Sequence, residues 1–337
     1  MAHDFLIKDI AFQAGLSTAT VDRAINGRGG VRRQTMSRVQ AAIEELKQQE
    51  QAQAMAGRTY VFDVILETPD RFSTAVRQAF EQEAAISPPA VLRSRFHFSE
   101  RIEDAALVKL LARVRSRGSH GVVLKAADTP AVNQAVADLA QAGIPVVTIA
   151  TDLPGSARIA YAGADNGAAG ETAAYLIGST LTRGAVLVTL SSSRFRGEEE
   201  RIAGFRRLLG ARWPHLGIVE ASEGYGRDRA TGEIVRAALH RNADVNAVYS
   251  IGGGNRSILT EFDALGRCVA CFVAHDLDED NRDLLAQDRV NFVLWHDLRR
   301  DAASVFRAFL DWHKKIGPDR GPILSKLDVV TPFNAPV

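Results

Sequence analysis

The chain has 337 residues, a formal net charge of +1, 46% hydrophobic and 24% charged residues. That length predicts two or three domains, and the balanced composition excludes a disordered or fibrous chain. No run approaches the roughly eighteen uncharged apolar residues of a membrane span, and the first residues lack the charged and apolar regions of a secretory leader. The expectation is a cytoplasmic protein.

In chain order, residues 7–26 come first. Ile7, Ile10, Ala11 and Ala14 fall at helical spacing. Gly15 supplies a positive-φ turn, and Ser17 is a ready N-cap for a second helix with Val21 and Ile25 on its inner face. Two short helices joined at a glycine describe a helix-turn-helix. Small residues at Thr18, Ala19 and Thr20, then Arg23, leave the outer face of the second helix slim enough for a DNA major groove. Residues 23–38 carry Arg23, Arg28, Arg32, Arg33 and Arg38 with no acidic residue among them, a local patch suited to phosphates. A third helix follows, with Val39, Ile43 and Leu46 as its stripe, and closes a small all-α head over 1–49. Residues 50–58 have good helix formers and no apolar face, and are expected to be a linker.

From residue 59 onward the pattern alternates strands and helices. Strands are predicted at 60–66, 95–98, 121–124, 146–149 and 159–162, then at 186–190, 217–221, 247–251, 269–274 and 292–294. Two such series predict a two-lobed α/β domain with parallel sheets over 59–337. Ligands of open α/β sheets bind beyond the carboxyl ends of strands, so a site is expected between the lobes. Its candidates on the first series are Asp70, Phe72, Lys125 and Asp152; on the second they are Arg196, Arg201, Asn255, Asp276, His296 and Asp297. Carboxylates and arginines can each pair with adjacent hydroxyls, and an aromatic can cover an apolar ligand face. Lys125, Arg196 and Arg201 would tolerate an acidic or phosphorylated ligand. Gly252-Gly253-Gly254-Asn255 follows a strand and opens a helix, so its N–H groups could cradle an anion, but it is neither a dinucleotide fingerprint nor a P-loop. Cys268 and Cys271 lie in an apolar run read as a buried strand, where i and i+3 face opposite ways. Both are expected to be core residues, with no metal site or cofactor.

The segment Lys8-Asp9-Ile10-Ala11, Ala14-Gly15-Leu16-Ser17, Thr20-Val21, Arg23 and Asn26 resembles the N-terminal signature of the lactose-repressor (LacI/GalR) family of bacterial regulators. Gly163-Ala-Asp165-Asn166, Arg201-Ile-Ala-Gly204-Phe205 and Val273-Ala-His-Asp276 resemble the family's periplasmic-binding-protein-like effector domain. The resemblance implies that Thr18, Ala19 and Arg23 reach base edges; Arg is the side chain best suited to guanine O6 and N7. Thr20, Asn26, Arg32 and Arg33 are then phosphate contacts. It implies a hinge at 50–58 that orders on the operator, with Met55 as a minor-groove wedge. It also places Lys125, Asp152, Arg201 and Asp276 at positions that touch sugar effectors. Three residues depart from the pattern: Leu6 and Arg32 replace capping residues, and Asp22 replaces a serine in the reading helix. An acid there repels phosphate unless it accepts from a cytosine amino group.

The function implied is a dimeric, sequence-specific regulator, expected to be a repressor of a near-palindromic operator and tuned by a small sugar-like effector. The alternatives are a periplasmic-type solute-binding protein and a sugar-processing enzyme. No nucleophile elbow, P-loop or metal cluster supports the enzyme.

Overall fold

The structure is a computed structural model that describes residues 5–28, 30–55, 57–86, 90–314 and 322–336; side chains at 48 and 51–55 lie outside the described set. Contacts divide the chain into one unit of residues 1–60 with 87–92 and a second of residues 61–86 with 93–337.

The head consists of α1 (Ile7–Ala14), α2 (Thr18–Ile25) and α3 (Arg33–Met55). Gly15 adopts the left-handed conformation at φ 59° and its N–H returns to the carbonyls of α1, which reverses the chain. Arg38 reinforces that turn, donating to the Ala14 carbonyl at 2.7 Å. Ser17 caps α2 by accepting from the Thr20 N–H at 3.2 Å, whereas Leu6 offers α1 no cap. Ile10, Ala11, Ala14, Val21, Ala24, Val39, Ala42 and Ile43 form the core, with Leu46 packed at its edge. The third helix is 23 residues long. It takes in most of the segment read as a linker.

The second unit alternates β1 (Thr59–Glu67), α4 (Asp70–Ile86), β2 (Val91–Ser99), α5 (Asp104–Arg117), β3 (Val122–Lys125), α6 (Pro130–Gln141), β4 (Val146–Ile149) and β5 (Ala160–Gly163). It continues with α7 (Asn166–Thr180), β6 (Ala185–Thr189), α8 (Arg196–Arg212), β7 (Gly217–Ala221), α9 (Asp228–Arg241), β8 (Val245–Ser250), α10 (Asn255–Ala264), β9 (Cys271–His275), α11 (Glu279–Ala286) and β10 (Phe292–Trp295). α12 (Leu298–His313), β11 (Ile323–Leu324) and β12 (Asp328–Val330) complete it. Two six-stranded sheets result, ordered β11-β5-β4-β3-β1-β2 and β12-β10-β9-β8-β6-β7. The described pairings are parallel except β10 with β12. We call the bodies built on these sheets lobe one and lobe two. The chain passes between them three times: from β5 into α7, which packs on α8; from β10 into α12, which packs on α4; and from β11 to β12.

Both faces of the sheets are covered, so central strands such as β6 and β9 are buried along their whole length. In lobe one, Phe62 stacks on Phe309 at 4.8 Å and Phe80 meets Phe306 edge-on at 5.4 Å. Asp63, fully buried in β1, is neutralised by Arg95 at 2.6 Å, Arg117 at 2.7 Å and His97 at 2.9 Å. In lobe two, α7 and α8 approach closely because of two glycines. A Cβ on Gly170 would stand 1.9 Å from the Arg201 carbonyl oxygen, and one on Gly204 would stand 2.2 Å from that of Gly167. The cysteine expectation needs correction: β9 begins at Cys271, which is buried, whereas Cys268 precedes the strand and is exposed.

Candidate functional site

The head presents one polar helix face. Thr18, Ala19, Arg23 and Asn26 are exposed on or just after α2, and Arg32 and Arg33 are exposed at the start of α3. Ser17 and Thr20 share a hydroxyl hydrogen bond at 2.8 Å, so Ser17 shapes the helix start. Asp22 is neither isolated nor free. It pairs with Arg28 at 3.0 Å and accepts from the Asn26 amide at 2.7 Å. The second helix, α2, therefore carries its own counter-ion for one arginine of the basic patch, and Arg38 of that patch is engaged at the Gly15 turn. Met55 ends α3, and its side chain lies outside the described residues.

In the second unit, a cavity of about 580 Å³ opens at the carboxyl ends of strands from both lobes. That is the size of a small-molecule site. Of the ten candidates from the sequence, Phe72, Lys125, Arg201, Asp276, His296 and Asp297 line it. The other four do not. Asp70 is exposed at the start of α4. Asp152 is held outside the cavity by Arg158, which donates at 2.5 Å from Nη2, and by Thr148 at 2.8 Å. Arg196 is exposed and paired with Glu200 at 2.8 Å. Asn255 is buried behind the wall, donating to Asn281 at 2.6 Å.

Asn255 nevertheless acts on the site. Asn281 donates to the carbonyls of His275 at 2.9 Å and Asp276 at 2.7 Å. These bonds hold Asp276 at φ 65°, a conformation that costs a non-glycine residue on the order of 1 kcal/mol or more. The turn aims the carboxylate of Asp276 at the cavity. Arg201 is placed from the other side: its Nε donates to Asn166 Oδ1 at 2.8 Å, made possible by the close α7–α8 approach. His296 Nδ1 lies 2.8 Å from a carboxylate oxygen of buried Asp301. Burial opposes charge on His296, yet Asp301 outweighs it and the pKa is raised.

Burial also governs the other charges here. It pushes the Lys125 ammonium down to about 8, against the pull of Glu198 and Glu67. Lys125 donates to the Glu67 carbonyl at 2.6 Å and lies 3.9 Å from the centre of the Phe195 ring. Burial raises Glu198, which accepts from the Ser191 N–H at 2.7 Å and from the Ser191 hydroxyl. Asp278 is pushed up to about 6 by the same cause. Among the residues that line the cavity, five lysine or arginine side chains stand with five carboxylates.

Sequence reading missed Arg71, Glu198, Asp278 and Trp295, all of which line the cavity. Glu198 was accessible, because it lies one helical turn before Arg201 on the same face. Trp295 ends the strand just before His296. Arg71 and Asp278 share the position after a strand with Asp70, Phe72 and Asp276, but their pairing at 3.0 Å depends on contact between lobes.

A helix-turn-helix followed by a two-lobed α/β body with a ligand-sized cleft defines a regulator that carries a receptor domain. The family model for bacterial regulatory proteins of the lacI family matches residues 6–48, and the model for a periplasmic binding protein domain matches residues 36–311. The chain belongs to the family of periplasmic binding protein domains over most of its length and carries a head of the lacI-family type. A comparison with curated proteins finds no match.

Among solved structures, the chain is similar to GanP, a glucose-galactose binding protein from Geobacillus stearothermophilus. Identity is 18%, with 83% of this chain and 100% of that one covered and a TM-score of 0.74. It is similar at 15% identity to a Bacteroides fragilis protein assigned as a LacI transcriptional regulator, over 82% of this chain and 98% of that one, with a TM-score of 0.73. A third is a periplasmic solute binding protein from Actinobacillus succinogenes with bound D-allose, at 15% identity, 81% and 98% coverage and a TM-score of 0.71. At these identities the likeness is one of fold. No helix among the described residues is long and apolar enough to cross a membrane.

Proposed function

We propose that this chain is a dimeric, cytoplasmic repressor that reads a near-palindromic operator and responds to an uncharged, polyhydroxylated effector, a sugar or sugar derivative, held between its lobes. Thr18, Ala19 and Arg23 read bases; Thr20, Asn26, Arg32 and Arg33 hold phosphates. Effector binding shifts the balance between lobe arrangements, and with it the DNA affinity; linkage makes the coupling reciprocal. The observation that carries the effector reading is the pairing of Arg201 and Asp276 in one cavity with Phe72 and Trp295. A guanidinium and a carboxylate bracket adjacent hydroxyls, and the aromatics cover the apolar faces of a ring. The balanced charge of the lining favours a neutral ligand over a phosphorylated one, and the sugar-binding proteins of the same fold support that choice.

The test has two parts. Selection of bound duplexes from a random pool should yield a near-palindrome with strong salt dependence. A panel of neutral sugars, free acids and sugar phosphates should then be screened by thermal shift, since a ligand of the folded state raises its stability with concentration. Arg201→Ala and Asp276→Ala should each abolish the shift and leave operator binding intact. Loss of DNA binding in either variant, with the fold preserved, would remove the cleft from the effector role.

A further inference from the structure

The glycine run after β8 has a use that its sequence does not suggest. Gly252 turns its carbonyl toward a cation, accepting from Arg71 Nη2 at 3.2 Å. Arg71 belongs to α4 of lobe one, and its other nitrogens also end on lobe two. Nη1 donates to the Gly226 carbonyl at 2.9 Å, and Nε pairs with Asp278 Oδ2 at 3.0 Å. The three acceptors come from three different loops, after β7, β8 and β9. Together they match the planar fork of a guanidinium, one acceptor for each nitrogen.

The space is shaped as well. A Cβ on Gly253 would lie 1.7 Å from Arg71 Nη2, and one on Gly226 would lie 3.0 Å from it. Both glycines have positive φ, at 85° and 64°, which a side chain would resist. Any residue but glycine at 253 would fill the place of the guanidinium.

We propose that lobe two carries a built receptor for a guanidinium group, formed by the carbonyls of Gly226 and Gly252 and the carboxylate of Asp278, which Arg71 fills from lobe one to hold the cleft closed by the protein's own groups. This goes beyond the effector reading and holds whatever ligand the cavity takes. The lobes also meet through Arg194 with Asp104 at 2.6 Å and with buried Glu67 at 3.6 Å, Arg227 with Glu100 at 3.3 Å, Lys125 over the Phe195 ring at 3.9 Å, and the Gly197 N–H donating to Thr151 at 2.9 Å. The Arg194–Asp104 and Arg227–Glu100 pairs join partly exposed side chains, which salt screens. Arg71 differs in binding two backbone carbonyls, whose acceptor strength no counter-ion cancels. A ligand entering the cavity must therefore act on an interface that already has a closing force.

The experiment uses the full chain in a Cys268→Ser background. Donor and acceptor dyes are placed through Lys109→Cys on α5 and Arg229→Cys on α9, and the buffer holds about 0.3 M NaCl to screen the rim pairs. Without added ligand, the intact protein should give one short interlobe distance. Arg71→Ala should lengthen and broaden it, and Arg71→Lys should recover it only in part, because an ammonium cannot span three acceptors. Gly253→Ala keeps Arg71 but blocks its seat, and should open the cleft as Arg71→Ala does. Millimolar methylguanidinium added to Arg71→Ala should not restore closure, since the free ion is untethered, but it should protect the receptor glycines from amide exchange, as urea at equal concentration should not. A thermal melt checks that each variant is folded. Equal interlobe distances in the intact protein and Arg71→Ala would overturn the closing role. Absence of methylguanidinium protection at Gly226 and Gly252 would overturn the receptor.

Discussion

Asp22→Asn isolates what an acid does on the helix proposed to read DNA. In the head, Asp22 holds Arg28 at 3.0 Å and the Asn26 amide at 2.7 Å. An asparagine keeps an oxygen for Asn26 but gives up the charge, so Arg28 is released to meet a phosphate. One additional phosphate neutralised steepens the plot of log affinity against log salt by about 0.9. Over a fourfold change in salt, that is roughly a 3.5-fold larger change in affinity than for the intact protein. The assay is fluorescence anisotropy with a random-sequence duplex at four or five salt concentrations, so the operator need not be known. Asp22→Asn should bind this duplex more tightly at low salt and with the steeper slope. The double variant Asp22→Asn with Arg28→Ala should return to the original slope, because no cation is left to release. An unchanged slope in the single variant would refute the counter-ion reasoning. Absence of any salt-dependent binding by the intact protein would instead count against the DNA-reading face itself.

Two further predictions concern lobe two and its cleft. Gly170→Ala places a methyl 1.9 Å from a backbone oxygen of α8, so the helices must part. A loss of about 1–3 kcal/mol in urea denaturation is expected, with a weakened effector response because Arg201 moves; a loss below about 0.5 kcal/mol would show that the helices yield freely. Lys125 titrates at about 8 in the folded protein and near its ordinary value of 10.5 when unfolded. Between these values the unfolded chain binds more protons, so stability should rise with pH across that window, and Lys125→Met should flatten the rise. A slope that survives the substitution would assign it to another group.

The sequence disclosed the head almost completely, because Gly15, Ser17 and the apolar spacing act within a few residues of one another. The ten strands of the two series were also legible, since buried parallel strands leave apolar runs between helical periods. β11 and β12 were not, being two and three residues long and defined by distant partners. The cavity was legible in part. Position after a strand selected Lys125, Asp276 and His296, but it also selected Asp152, whose carboxylate answers to Arg158 six residues on. Arg71 and Asp278 acquire meaning only when the lobes meet, and no local pattern records that. The extension of α3 through residues 50–55 shows the reverse case, in which helix-forming residues without an apolar face simply continue the helix before them.

The three passages between lobes leave from neighbouring strands, β5 beside β11 on one sheet and β10 beside β12 on the other. Three tethers set side by side permit bending about the line that joins them and resist twist and shear. Relative motion of the lobes is thereby reduced to nearly one degree of freedom. A signal from the cleft then has one coordinate along which to be expressed, rather than being dissipated over many. Cutting one tether would leave the lobes attached and the cleft residues in place, yet would let them swivel, so that the proposed effector would still bind but no longer direct the motion.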